Sequence, residues 1–173
     1  MSLAITLSLI AGGAVRVQAA PSPDPRQIVL STMHAVNEME MHLGQAAQQK
    51  GAAEMVRRYG DRLYRDHHFA DQKVQMLSKA QGQALLPPPE LPSFPKMQQM
   101  MQKQQQLQQM SGAAFDAMFL QMMIEGHDTA ISNLENALGK LPAGEVRDLV
   151  SKVVPILRQH LELAKLLGTS AGG

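Results

Sequence analysis

The chain has no cysteine and no tryptophan, and aromatic residues make up only 3% of its 173 positions. Without cysteine there is no disulfide, thiolate zinc site, iron–sulfur cluster or thiol nucleophile, and cysteine usage says nothing about redox compartment. The shortage of aromatics removes base-stacking platforms and leaves a core of Leu, Val, Ile, Ala and an unusual 13 Met. Unbranched side chains and Ala lose little rotamer freedom in a helix, so the composition suits helices and not a β-sandwich. Excess charge is missing too. With 16 basic against 15 acidic residues, spread evenly to a net +1, no basic stripe argues for nucleic acid as a partner. The length is that of one domain able to bury a single core.

What is present begins with an apolar run from Leu3 to Val15, followed by Val17-Gln18-Ala19-Ala20 and Pro21. A run this short, closed by small residues, reads as a secretory signal peptide over 1–19 cut after Ala19. Met1-Ser2 supplies no basic residue, which departs from the usual signal and leaves room for an upstream start. Periplasmic or secreted localisation is the expectation. Beyond the signal, no segment reaches the roughly 20 apolar residues of a membrane span.

Residues 20–25 read as a linker in which Asp24 caps a helix and Pro25 takes its first position. Val29, Met33, Val36, Glu40, Leu43 and Ala47 then recur at steps of four and three, one face of a helix that ends at Gly51. A second helix, 52–81, carries Val56, Gly60, Leu63, His67, Ala70, Val74 and Leu77, and its tight connection to the first predicts antiparallel packing. Leu86-Pro87-Pro88-Pro89 with Pro92 and Pro95 reads as an extended connector, and the Gln- and Met-rich 97–110 as a short helix lying on the bundle. Ser111-Gly112 opens a third long helix with Leu120, Met123, His127, Ala130, Leu134 and Ala137. The last helix carries Val146, Val150, Val153, Leu157, His160, Ala164 and Leu167, with a kink expected at Pro155. The pattern predicts an all-α protein: an up-down-up-down four-helix bundle over 26–168, a short extra helix between helices 2 and 3, and a disordered tail over 169–173.

Each long helix places one metal-capable residue on its apolar stripe: Glu40, His67, His127 and His160. At a rise of roughly 1.5 Å per residue, the four fall within about 6 Å of mid-height. A carboxylate and neutral imidazoles at one level suit a single transition metal such as zinc or copper, and Met123, four residues before His127, could add a thioether for copper(I). The same residues could instead form a hydrogen-bonded core network that specifies packing without a metal. A dinuclear carboxylate centre requires Glu-x-x-His motifs, and none occurs. Asp66, Glu125 and Glu162 flank the histidines by one or two positions and are expected to turn away from them. His34, Glu38 and His42, spaced by four, read as a solvated face before a surface metal site, and His68 as an outside residue. The methionines read as gap-filling core before a copper-handling surface. No nucleotide loop, serine elbow or His-Glu-x-x-His motif is present, so no enzyme is expected.

Glu40-Met41-His42-Leu43-Gly44, Val56-Arg57-Arg58-Tyr59-Gly60 leading to Asp66-His67, Ser111 to Asp116 leading to Met122-Met123-Ile124-Glu125-Gly126-His127, and Val154-Pro155 with His160 resemble one family. It is the uncharacterised, ferritin-like family of exported bacterial four-helix proteins, a domain of unknown function often labelled outer-membrane protein. The resemblance covers nearly the whole chain after the signal and implies a ferritin-like bundle without an established reaction. Neither barrel strands nor a lipobox cysteine supports the outer-membrane label. Phe119 to Ala130 also resembles the Met-Ile-x-His-His motif of a sister group of exported helical proteins, some linked to copper, with Gly126 in place of the first histidine. The resulting expectation is a non-enzymatic exported bundle that binds one copper or zinc ion or acts in envelope stress. The alternative is a structural or interaction module that contacts a protein partner through 96–110.

Overall fold

The computed structural model describes residues 23–170, so the expected signal peptide and residues 171–173 lie outside it. Five α-helices make up the described chain: α1 (Pro25–Lys50), α2 (Glu54–Ala80), α3 (Phe94–Gln108), α4 (Gly112–Leu138) and α5 (Glu145–Ser170). A single 3-10 turn, Pro88–Glu90, interrupts the α2–α3 connector. No strand occurs among the described residues.

Local chemistry sets the helix ends. The Asp24 carboxylate accepts the N–H of Arg26 at 2.8 Å, and Pro25 takes the first helical position, where a missing N–H costs nothing. Ala53 precedes α2 and has no capping side chain. Its turn is held from α4 instead, where the buried Asp116 accepts the N–H groups of Ala52 (3.0 Å) and Ala53 (2.8 Å). Beyond α2, Gly82 adopts a left-handed φ of 62°, which a side chain would disfavour. The α5 helix continues through Pro155, where one backbone hydrogen bond is missing, and on to Ser170. Residues 169 and 170, expected in a disordered tail, are therefore helical.

Pairwise contacts give the directions. Gly44 faces Gly60 while Asn37 meets His67 and His34 meets Asp71, so α1 and α2 are antiparallel. Gly168 lies near Ile124, His127 near His160 and Glu135 near Arg158, so α4 and α5 are antiparallel as well. Gly51 bridges to Gly112 while Glu40 faces Gly126, which makes α4 antiparallel to α1. The four long helices thus run up, down, down, up, and the expected up-down-up-down order is wrong. The cause is α3. At fifteen residues and about 1.5 Å per residue it spans roughly 22 Å, and it climbs alongside α1 until Gln108 meets Lys50. The chain is thereby carried back to the top before α4 begins.

The apolar interior is divided in two. Leu43, Tyr59, Leu63, Phe115, Phe119 and Met123 belong to an upper cluster, and Leu30, Val74, Leu134, Val150, Leu157 and Leu161 to a lower one. Tyr59, Phe115 and Phe119 are fully buried in the upper half, so three of the six aromatics enter a core expected to be aliphatic. Between the two clusters lies a polar layer containing Glu40, His67, His127 and His160, all buried.

Candidate metal centre

His67, His127 and His160 come from three different helices and converge in the polar layer. One ring nitrogen from each lies within 4.8 Å of the other two. The ring centroids are 5.3 Å apart for His127 and His160, 5.5 Å for His67 and His160, and 5.9 Å for His67 and His127.

The partners on the far side of each ring indicate where its hydrogen sits. His127 Nδ1 is 2.8 Å from the Met123 carbonyl, which can only accept, so Nδ1 carries the hydrogen and Nε2 a lone pair. His160 Nε2 donates to Asp66 Oδ2 at 2.8 Å, leaving the lone pair on Nδ1. These two lone-pair nitrogens are 3.3 Å apart with no hydrogen to share. His67 Nδ1 donates to Asn37 Oδ1 at 2.9 Å, and its Nε2, the third lone pair, is buried without a partner. Rings whose outer N–H is tied to a carbonyl or carboxylate are oriented as metal-ligating histidines are.

Burial favours the neutral form of all three rings. It pushes His67 well below the ordinary imidazole range, helped by repulsion from His127 and His160. Burial pulls His127 down to about 4, with His160 adding to the effect and the Met123 carbonyl opposing it. His160 is lowered for the same reason, against the pull of Asp66. Neutral imidazole is the form that ligates.

Glu40 is placed differently. It is not among the three converging groups, although it lines a cavity of about 290 Å³ together with His67 and His127. Its Oε2 is buried without a partner, and burial pushes its carboxyl up to about 8. The structure therefore gathers three of the four expected residues and leaves the carboxyl at the cavity wall.

Two participants escape a reading based on inward faces. Asp66, expected to turn away, is part-exposed and reaches His160, because α5 packs on the flank of α2 next to its inward stripe. Asn37 precedes Glu40 by three positions and shares its buried face, a spacing that could have flagged it. Met123 takes part through its carbonyl, its side chain being buried in the upper cluster. Glu125 and Glu162 pair with Lys103 and Lys165 at the surface. On α1, His34 binds Asp71 at 2.6 Å and lies 3.8 Å from Glu38, while His42 is exposed and joins neither. His68 is outside, its ring stacked at 5.9 Å on Tyr64.

Among solved structures, the fold is similar to that of a DUF305 protein from Streptomyces coelicolor, described as an inferred secreted protein, with a TM-score of 0.71. The similarity covers 86% of this chain and 93% of that one at 14% identity, which supports a shared fold alone. No curated protein matches the sequence. The model of the family described as "Domain of unknown function (DUF4142)" matches residues 13–167. Because that match spans most of the sequence, the chain belongs to the DUF4142 family.

Proposed function

We propose that the protein is an exported, ferritin-like helical bundle that captures a single zinc or copper ion through His67 Nε2, His127 Nε2 and His160 Nδ1. The observation that carries this reading is the pair of facing lone pairs on His127 and His160, 3.3 Å apart, with each outer nitrogen committed to an acceptor. A cation between three such nitrogens would replace that repulsion with ligation. Glu40, at the wall of the adjoining cavity and outside the converging group, is not assigned a direct bond. A long crossover between helix pairs, as α3 provides, supports the ferritin-like part of the reading. Export rests on the signal-like pattern of residues 1–19. No described helix is long and apolar enough to cross a membrane.

Binding without turnover is the role assigned. One carboxyl in place of four does not make a dinuclear oxidase. A second reading, in which the polar layer only specifies packing, draws support from the anchoring of each ring by a hydrogen bond. A partner docking on 96–110 would have to use Met101 and the outward glutamines, since Met97 and Leu107 are buried.

The test is chelator stripping of the purified chain, then calorimetric titration with zinc and copper beside elemental analysis. One equivalent is expected for the parent and none for His127→Ala with its helicity retained. Sub-stoichiometric uptake that is equal in parent and variant would refute metal capture and leave the packing role.

A further inference from the structure

Six buried side-chain atoms among the described residues have no hydrogen-bond partner, and four of them belong to residues lining one cavity: Asn37 Nδ2, Glu40 Oε2, His67 Nε2 and Ser93 Oγ. Native folds leave few such groups unmade, because an unsatisfied buried donor or acceptor is costly. Metal capture would use only the histidine atom. Of the other three, Asn37 Nδ2 and Glu40 Oε2 sit one turn apart on α1 at the cavity wall, which points to one occupant there.

The cavity walls narrow down that occupant. Met33, Met39, Met97, Met100, Leu134 and Leu157 present a largely apolar lining, and at about 290 Å³ the space lies near the lower end of small-molecule pockets, roughly 300–1,000 Å³. Gly126 enlarges it. A Cβ there would meet Met100 Cε at 3.5 Å and Glu40 Oε1 at 3.7 Å, so the missing side chain is room held open between the α3 methionines and the carboxyl. Methionine is the side chain best able to adapt to a guest. A charged guest is disfavoured, because Lys103 at the rim is already paired with Glu125 and the buried polar atoms supply no counter-charge.

We propose that this cavity binds a small uncharged molecule with an apolar body and one hydrogen-bonding oxygen, the oxygen held by Asn37 and Glu40 and the body by the methionines of α3. The site does not rest on the metal reading, and chelated protein separates the two. The probe is 4-ethylphenol, followed by nitrogen–proton NMR titration of the full chain in chelator, beside ethylbenzene and 4-ethylbenzoate. Saturable binding of 4-ethylphenol is expected, with shifts concentrated at Gly126 and Met100. Ethylbenzene, which lacks the oxygen that Asn37 and Glu40 hold, should bind about tenfold more weakly or worse, and 4-ethylbenzoate more weakly still. Gly126→Leu fills the space from α4 and Met100→Phe fills it from α3, so whichever variant stays folded should lose binding. Absence of saturation, ethylbenzene binding as tightly as the phenol, or unchanged binding in a folded filled variant would each overturn the proposal. Absence of zinc uptake by the parent protein, with phenol binding intact, would refute metal capture alone.

Discussion

Asp66 shows how a side chain outside the core can govern one inside it. Its carboxylate accepts the Nε2–H of the buried His160 at 2.8 Å, while Arg62, one turn earlier, approaches the same oxygen at 3.4 Å. The acceptor fixes the tautomer of His160 and directs its Nδ1 lone pair toward His127. Removing such an outer partner typically lowers metal affinity about 10–100-fold. Asp66→Ala should therefore bind zinc with the same stoichiometry as the parent but with affinity reduced by about that factor, measurable by competition against a chromophoric chelator. Unchanged affinity would mean that the carboxylate does not orient the ring.

Two glycines separate helix packing from cavity space. Gly60 and Gly44 let α1 and α2 approach so closely that a Cβ on Gly60 would sit 2.6 Å from both the Gly44 carbonyl oxygen and the Ala47 Cβ. Gly60→Ala gains helix propensity yet must push backbone apart, and overpacking of this kind costs about 1–3 kcal/mol. At Gly126 the nearest atoms are at ordinary contact distance, so Gly126→Ala should keep the helix-propensity gain of about 0.5–1 kcal/mol. Urea denaturation should place the two variants on opposite sides of the parent, and a stabilised Gly60→Ala would contradict the close crossing. The sister-group comparison treats Gly126 only as a missing histidine. Its spatial role appears once Glu40 and Met100 are brought opposite it.

For the molecule as a whole, the buried ionisable groups of the polar layer act against one another with pH. The three histidines are held below the unfolded imidazole value of about 6.5. Above that pH they are neutral in both states. Below it the unfolded chain takes up protons that the fold refuses, and stability falls by about 1.4 kcal/mol per pH unit for each ring that stays neutral, ending near pH 4 for His127. Glu40 is protonated in the fold up to about pH 8, whereas unfolded it ionises above 4.5, so its contribution is complete at low pH and is lost as pH rises between those values. Metal-free protein should therefore be most stable near pH 6.5. Glu40→Gln should remove the alkaline decline and be more stable than the parent at pH 8. Thermal melts in chelator at pH 5, 6.5 and 8 check both statements, and a parent profile that keeps rising to pH 8 would contradict them.

The helices, their inward faces and the level at which Glu40, His67, His127 and His160 are buried were legible in the residue pattern. Periodicity and caps such as Asp24-Pro25 act within one or two turns, so they can be read from neighbours in the chain. The rest depends on how the helices meet. The direction of α4 follows from α3 crossing the bundle, a matter of how a Gln- and Met-rich stripe docks and not of its own period. The separation of Glu40 from the three imidazoles, and the recruitment of Asp66 and Asn37 to their outer nitrogens, follow from which helix flanks touch. A helical period gives the face on which a residue lies, while ligation and hydrogen bonding depend on the distances between atoms on different helices, which a one-helix pattern does not carry.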